Sequence, residues 1–461
     1  MHKIAGKSWS EKIFKAYDIR GVYPAEINED AAYKIARAFA RYLRMGKAEG
    51  RILKILVSSD KRESSPALKE AFVDGLSDEG AEIIDAGVTT TPHHYFAVNV
   101  SEADGGAMIT ASHLPLEFNG LKLSKRGAMP ISEGAGMNEI KGDTVRGIFQ
   151  NTDSEIKITK KDFTNDYIEF LENHFPYFGK EIKKMVSGEK IQWISFDTDE
   201  DRVMFDDEKG NRVPGDIITA LLVRYFAEAD ENSKASAFRS TKKKPKPQVF
   251  QDFSQRDGAR LSNSPAGEYA GLEKSVGEAI VYDLRSSRVV REKIEKYGFR
   301  PIESRVGHAF IKPLMRKENA AFGGELSGHY YFRDFFYCDS GIFAALAVLE
   351  LMRVEKKTLS ELIKPLRKYA KTEEIDFKIA EKEKALDRIA AHFNDEKISY
   401  LDGITVEHWN SAVAAAERWW FNLRLSNTEN LVRLNLEAST QKLLDKKKKL
   451  IFELLKDERL N

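Results

Sequence analysis

Apolar and polar positions alternate on two periods through the first part of the chain. Phe14-Lys-Ala-Tyr-Asp-Ile-Arg-Gly21 alternates and brings Tyr17 and Arg20 to a turn at Gly21. Asn28 then reads as a helix cap, with Glu29 and Asp30 in the first turn where the helix dipole favours acids. Ala32, Ile35, Ala36, Phe39 and Leu43 follow at helical spacing. Ile52 to Val57 predicts a short buried strand, and Ser65-Pro66 the start of a helix with Leu68, Phe72 and Leu76 on its inner face. Glu82 to Asp85 predicts another strand, Thr89-Thr-Thr-Pro92 another helix, and Gly105 to Thr110 a strand that runs into Ser112. This alternation predicts an α/β unit with a largely parallel sheet over residues 1–150. Ligands of such sheets gather at the carboxyl ends of the strands, where Ser112 falls.

The pattern restarts at residue 151. Phe163, Tyr167, Phe170 and Leu171 share a helical face, and the strand Ile191 to Phe196 delivers Asp197-Thr-Asp-Glu-Asp-Arg202 from its end. Pro214-Gly-Asp216 caps an apolar helix through Ile217, Ile218, Leu221, Leu222 and Phe226. Residues 230–277 hold no sustained period; Lys242-Lys-Lys-Pro-Lys-Pro247 and a Ser/Asn/Gly/Gln-rich run read as a disordered, solvated insert closing a unit of residues 151–278. A third α/β unit, residues 279–370, opens with the strand Ala279 to Asp283. It contains Arg305-Val-Gly-His-Ala-Phe-Ile-Lys312 and Phe322-Gly-Gly-Glu-Leu-Ser-Gly-His329, and ends in a helix around Ile342 to Met352. A charged stretch from Arg353 to Lys371 leads to a last unit, residues 371–461, with Gly403-Ile-Thr-Val-Glu407, Trp419-Trp-Phe-Asn-Leu-Arg424-Leu-Ser-Asn-Thr-Glu429, the alternating strand Leu431 to Glu437 and a Lys-rich helix. The expected class is α/β: three related units with mixed, largely parallel sheets, then a smaller α+β unit.

Composition narrows the partners. The 461 residues exceed what one core holds, which agrees with several units. Lysine plus arginine (73) balances aspartate plus glutamate (72), so nothing global indicates nucleic acid or membrane, and an anionic ligand needs a local basic cluster. The single cysteine, Cys338, excludes internal disulfides, fits a reducing compartment and reads as a small buried residue. No apolar run of about 20 residues is present, and Met1-His-Lys-Ile-Ala-Gly-Lys7 lacks an apolar signal core. A soluble, cytoplasmic protein is expected; its oligomeric state leaves no mark on the sequence.

Four loops carry candidate chemistry. Met108 to Lys122 presents Ser112, His113 and Lys122; serine beside histidine suits an activated nucleophile, while Pro115 and Asn119-Gly120 equally suit a solvated turn. Asp197, Asp199 and Asp201 place three hard oxygen ligands on one tight loop, which suits Mg²⁺. Two rival readings of that loop exist. As an EF-hand it has Glu208 at the final place but Arg202 where glycine belongs; as an aspartyl-phosphate hydrolase it would use Asp197 as nucleophile. Arg424, Ser426, Asn427, Thr428 and Arg433 gather donors able to hold a phosphate monoester. Glu325, Ser327 and His329 stand among glycines that let a ligand approach, and a carboxylate with a hydroxyl suits sugar hydroxyls; His308 lies in a similar loop.

In order, the loops Thr110-Ala-Ser-His-Leu-Pro115, Asp197-Thr-Asp-Glu-Asp-Arg202, Gly324-Glu-Leu-Ser-Gly-His329 and Arg424-Leu-Ser-Asn-Thr-Glu429 resemble the α-D-phosphohexomutase family, in its phosphomannomutase/phosphoglucomutase branch, over most of the chain. The resemblance implies four units around a central cleft that bear, in order, the phosphoserine, the metal, the sugar reader and the phosphate reader. Ser112 would carry a phosphoryl group and join Asp197, Asp199 and Asp201 in holding Mg²⁺. Glu325 and Ser327 would read sugar hydroxyls, and Arg424, Ser426, Asn427, Thr428 and Arg433 the non-reacting phosphate. Tyr17, Arg20, Lys122, Arg202, Arg285, His308 and His329 match cleft-lining positions that assist proton and phosphoryl transfer; His113 is a neighbour with an open role. The implied reaction interconverts hexose 6-phosphate and hexose 1-phosphate, of mannose or glucose, through a hexose 1,6-bisphosphate that also serves as activator. Ser-Asn-Thr in the last loop leans away from the glucosamine branch, which has Ser-Gly-Thr.

The chain departs from the family at Leu114, usually Asn, at Ser58-Ser59 before Asp60, usually Gly-Arg, and at Asn430, usually Pro. Between Phe175 and Ile191 it omits a strand and a helix, so the metal loop is expected on an incomplete sheet, and a relative that binds sugar phosphates without transferring phosphate is the alternative reading.

Overall fold

Capping and punctuation set the first unit. Its elements are Ile19–Val22 (β1), Glu29–Arg44 (α1), Lys54–Ser59 (β2), Ser65–Asp78 (α2), Glu82–Val88 (β3), Thr91–Val100 (α3), Gly105–Ile109 (β4), Phe118–Lys125 (β5), Met129–Pro130 (β6), Met137–Arg146 (α4) and Lys157–Lys160 (β7). The computed structural model describes residues 8–48, 50–149, 157–231, 277–379, 381–410, 412–425 and 431–455. Asn28 caps α1 by accepting from the Ala31 amide at 3.1 Å, and Pro66 opens α2. The strands run β1-β5-β4-β2-β3-β7, with β6 on β5. β2 is parallel to β3 and β4, and β3 to β7, while β5 is antiparallel to β1 and β4. β2 alternates between two cores: Ile55 and Val57 pack with α1 and α2, and Leu56 with α3.

Two expectations change here. Asn119 and Gly120 are not a turn; they lie inside β5, so Lys122 stands on a strand rather than in the Ser112 loop. Gly120 is demanded by close strand approach, since a Cβ there would meet the Ile19 carbonyl oxygen at 2.0 Å. Residues 157–160 belong to the first sheet as β7 rather than to the second unit.

The second unit comprises Thr164–His174 (α5), Gly179–Val186 (α6), Ile194–Phe196 (β8), Val203–Asp206 (β9), Arg212–Val213 (β10) and Gly215–Glu231 (α7). Its sheet, β10-β9-β8, is antiparallel throughout, unlike the largely parallel sheet expected. β8 begins at Ile194, three residues later than expected, and is half-buried, and Trp193 before it is 43% exposed. The segment read as an insert, 230–277, lies outside the described residues except at its ends.

The third unit holds Ala279–Asp283 (β11), Arg288–Lys296 (α8), Arg300–Ser304 (β12), His308–Glu318 (α9), Phe322–Gly324 (β13), Tyr330–Phe332 (β14), Cys338–Asp339 (β15), Gly341–Glu355 (α10) and Leu359–Ile363 (α11), with strand order β12-β11-β13-β14-β15. β12, β11 and β13 are parallel and the rest antiparallel. Cys338 is fully buried. α11 interrupts the charged stretch that had been read as a plain linker. The fourth unit is an antiparallel sheet of Ala370–Lys371 (β16), Ile375–Lys378 (β17), Lys397–Ser399 (β18), Ile404–His408 (β19), Trp419–Leu425 (β20) and Leu431–Ala438 (β21), packed with Lys382–His392 (α12) and Gln441–Leu454 (α13). No helix among the described residues is long and apolar enough to cross a membrane.

Candidate active site

Ser112 follows β4 at the carboxyl end of the first sheet, in the left-handed region at φ 55°. That conformation is uncommon for serine and needs outside support. Its amide donates to Thr110 Oγ1 at 2.9 Å, and its Oγ donates to Asp199 Oδ1 at 2.9 Å, reaching from the first unit into the second. His113 Nδ1 lies 3.3 Å from the same Oγ. Burial, with Arg202 and Arg20 nearby, pushes the His113 imidazole down to about 4.

The antiparallel turn from β8 to β9 projects Asp197, Asp199 and Asp201, whose carboxylate oxygens lie within 4.8 Å of one another. Lys122 reaches across from β5 to Asp199 Oδ2 at 2.6 Å and Asp201 Oδ2 at 2.5 Å. Burial alone would lower the Lys122 ammonium; Asp199 and Asp201 more than reverse it and hold it well above its ordinary value. Burial, then Asp201 and Asp199, push the Asp197 carboxyl up to about 8. Arg202 folds back on the loop, with Nε 3.2 Å from Asp197 Oδ2 and its amide donating to Asp197 Oδ1 at 3.1 Å. Its guanidinium also contacts His113 Nδ1. Arg20 pairs with Asp18 and faces Asp199 and Asp201.

This donor set fits a hard divalent cation. Three carboxylates crowd one point, burial together with their repulsion holds Asp197 above the carboxylate range, and Asp201 Oδ1 is buried with no closer cation than His329 Nε2 at 3.4 Å. Glu208, the EF-hand candidate, bonds instead to Ser360, accepting from its amide at 3.2 Å.

The third unit brings its loop to the same place. His329 Nε2 is 3.4 Å from Asp201 Oδ1, and His329 Nδ1 is 3.0 Å from Ser327 Oγ. Burial works against the His329 imidazolium, but Asp201 and Glu325 raise its pKa overall. Glu325 is 1% exposed, accepts from the Tyr331 hydroxyl and from the Gly307 amide at 3.2 Å, and faces Arg285 at 3.8 Å. Arg285 is held by Asp283 at 2.7 Å. His308 opens α9 with its Nδ1 buried and unpartnered, and burial pushes its pKa down to about 3. The Tyr17 ring meets His308 edge-on at 6.0 Å.

In the fourth unit Arg424 and Arg433 face each other across β20 and β21. Glu374 links this pair to Arg285 beside Glu325, lying 3.7 Å from Arg433 and 3.6 Å from Arg285. Ser426, Asn427 and Thr428 lie outside the described residues. Apart from Glu208, every other predicted residue falls into one of three groups, around Asp199, Glu325 and Arg424.

Thr91 escaped the sequence reading. Its Oγ1 donates to Asp199 Oδ2 at 2.7 Å and its amide to the Asp199 carbonyl at 2.9 Å, so the first turn of α3 grips the metal loop. The run Thr89-Thr-Thr-Pro92 signalled a helix start, and nothing local marked the distant carboxylate. The buried pair Lys312–Asp339, 2.5 Å apart beneath His308 and His329, was likewise missed.

Three domain families match the chain. They are phosphoglucomutase/phosphomannomutase, alpha/beta/alpha domain I, over residues 11–150; its alpha/beta/alpha domain III over residues 264–369; and its C-terminal domain over residues 374–454. A phosphomannomutase of Vibrio cholerae is 34% identical, covering 92% of this chain and 94% of its own. One of Methanocaldococcus jannaschii is 32% identical, covering 96% and 97%. Among solved structures, a phosphoglucomutase/phosphomannomutase family protein of Burkholderia thailandensis shares the fold with a TM-score of 0.74 at 23% identity, over 98% of this chain and 99% of that one. The open form of Paramecium parafusin, a phosphoglucomutase, gives 0.67 at 13% identity over 99% and 98%.

Proposed function

The chain belongs to the phosphoglucomutase/phosphomannomutase family and is a phosphohexomutase, an intramolecular phosphotransferase; we propose that it works through a phosphoryl group carried on Ser112. The observation that carries this reading is the Ser112 Oγ hydrogen bond to Asp199, which sets the hydroxyl against the carboxylate cluster and opposite the Glu325–His329 loop. Asp197, Asp199 and Asp201 would hold a divalent cation, with Mg²⁺ the best match to an all-oxygen set. When bound, that ion neutralises charge on the transferring phosphoryl oxygens.

The remaining work falls to side chains. Glu325 and Ser327 accept and donate to sugar hydroxyls, and Arg285, Arg424 and Arg433 receive the phosphate that is not reacting. Arg20, Lys122 and Arg202 surround the transfer position with positive charge, which is most of what phosphoryl transfer asks of a protein. In the first half-reaction the Ser112 Oγ–P bond breaks as a new P–O bond forms to the free sugar hydroxyl, whose proton leaves. His329, with Nε2 3.4 Å from Asp201 Oδ1 at the edge of the cluster, would take that proton in its neutral form and return it to the sugar oxygen freed in the second half-reaction. The resulting 1,6-bisphosphate turns over and returns its other phosphoryl group to Ser112. The names of the similar proteins favour mannose phosphates, with glucose phosphates a second substrate.

A coupled assay with mannose 1-phosphate or glucose 1-phosphate, a trace of 1,6-bisphosphate and Mg²⁺ tests the reading, together with intact mass. Turnover and a phosphate on Ser112, both lost in Ser112→Ala, are expected. No turnover at any metal level would sink the proposal, and a phosphate that survives Ser112→Ala but not Asp197→Asn would move the carrier to Asp197.

A further inference from the structure

Arg62 follows β2 and lies beneath the Ser112 loop, 4% exposed, beside Asp60 at 6%. Nε donates to Asp60 Oδ2 at 3.1 Å. Nη1 donates to the Pro115 carbonyl at 2.7 Å and the Phe118 carbonyl at 3.1 Å, and Nη2 to the carbonyls of Ser112 at 2.6 Å and Leu114 at 2.7 Å. A guanidinium has five N–H donors, and all five are used. Asp60 is fixed in turn: Oδ1 accepts from the Arg62 amide at 3.0 Å and from Ser65 Oγ at 2.6 Å, and its amide donates to the Ile109 carbonyl at 2.9 Å.

Four carbonyl oxygens turned toward one point repel each other unless donors stand between them, and burial removes the water that could do it. Arg62 supplies those donors, with its charge balanced by Asp60. Drawing the Ser112 carbonyl inward keeps the residue in its left-handed conformation and leaves Oγ facing Asp199. Lysine offers three donors and no fork, so it cannot replace this set. Arg62 is buried on the loop's inner side, and its side chain bonds to Asp60 and these carbonyls rather than to Glu325, Ser327 or Arg424.

We propose that Arg62 is the positioning residue of the serine loop, holding Ser112 in one geometry through both phosphoryl transfers without contributing to sugar binding. The inference rests on Ser112 being the phosphoryl carrier. Wild-type enzyme with no phosphate on Ser112 would fail that reading, whereas a phosphorylated wild type and undiminished transfer in Arg62→Lys would fail only this one.

The experiment compares wild type, Arg62→Lys and Arg62→Ala in steady state, in single-turnover loss of the Ser112 phosphate to hexose 1-phosphate followed by intact mass, and in Mn²⁺ titration by EPR. For Arg62→Lys, kcat and the single-turnover rate fall about 100-fold, the cost of a misplaced reacting group, while KM and Mn²⁺ binding stay at wild-type values. Added guanidinium ion, but not ammonium, restores part of the Arg62→Ala rate. A wild-type kcat in Arg62→Lys overturns the proposal, as does a KM that rises as far as kcat falls. Should neither Arg62 variant fold, Asp60→Asn, which removes the charge that anchors Nε and so loosens the guanidinium from the carbonyls, lowers kcat with KM held; an unchanged kcat there overturns it equally.

Discussion

The serine and the carboxylates meet at hydrogen-bond distance, yet the two units that deliver them are built differently. In the first, β2 and β4 are buried between α1 and α2 on one face and α3 on the other. Among the described residues of the second, three short antiparallel strands end in half-buried β8, and Phe205, Ile218 and Leu222 join α3 and α10 in a shared cluster. The metal loop is correspondingly held from outside. Thr91 and Lys122 reach it from the first unit; from the third, the Gly328 carbonyl accepts from the Val203 amide at 3.1 Å and the Gly341 amide donates to the Glu200 carbonyl at 3.3 Å. A short scaffold can therefore present a well-defined site when its neighbours supply the restraints, and it follows that changes in those neighbours should act on the metal.

The largest effect is expected where both units share a residue. Asp199 touches Ser112, Thr91 and Lys122, so Asp199→Ala should lower kcat by about 10³ and weaken Mn²⁺ binding in the same protein. A variant that keeps its turnover while losing Mn²⁺ would separate the serine from the metal loop and break the comparison.

The sequence made one of these units far more legible than the other. Asn28, Ser65-Pro66 and the alternating strands mark the first unit because capping and periodicity are local. Ser112 and the three aspartates were visible because like residues cluster at short spacing. Lys122 was misplaced because Asn-Gly signals a turn, whereas Gly120 serves a close crossing with Ile19, a partner from the other end of the unit. Thr91 and Arg62 could not be read at all. Apart from Asp60 beside Arg62, their partners lie 108 and 50 to 56 residues away in the chain, and only the folded units bring them near. The short span between Phe175 and Ile191 was legible as a length, but not that α3 and α10 would pack with the described part of the second unit.

Packing gives the next largest contrast. Leu56 in β2 is fully buried, so Leu56→Ala should cost about 3 kcal/mol. Ile194 in β8 is half-buried, and Ile194→Ala should cost about 1 kcal/mol. Urea unfolding of the two variants measures both, and equal losses would show that β8 bears as much of the fold as β2. Below this stands Thr91→Val, which keeps the shape and removes one hydroxyl from Asp199. Partners of metal ligands of this kind are worth about tenfold or more in metal affinity, so Mn²⁺ should bind about tenfold more weakly with the melting temperature held. Unchanged binding would mean that β8 and β9 position the loop unaided.

The smallest expected effect probes the first unit's own framework. His94 on α3 is buried with Nδ1 2.8 Å from Ser58 Oγ on β2, and burial, reinforced by His93, Lys122 and Lys312, pushes its pKa down to about 3. The unfolded chain binds that proton at about 6.5, so folding is fully favoured above that pH and loses stability as pH falls toward 3. Between pH 7 and 6 this one residue should cost about 0.7 kcal/mol. Glutamine can still bond Ser58 but cannot be protonated, so His94→Gln should remove that share of the acid sensitivity while leaving the urea midpoint at pH 8 close to its former value. Comparing urea midpoints at pH 8, 7 and 6 reads the difference directly. If the two proteins lose stability in parallel, His94 is protonated as easily in the fold as in the open chain, and β2 is less tightly enclosed than its buried neighbours indicate. If the slopes diverge as expected, mild acid loosens the framework of Ser112 through a group that touches neither Ser112 nor Asp197, Asp199 or Asp201.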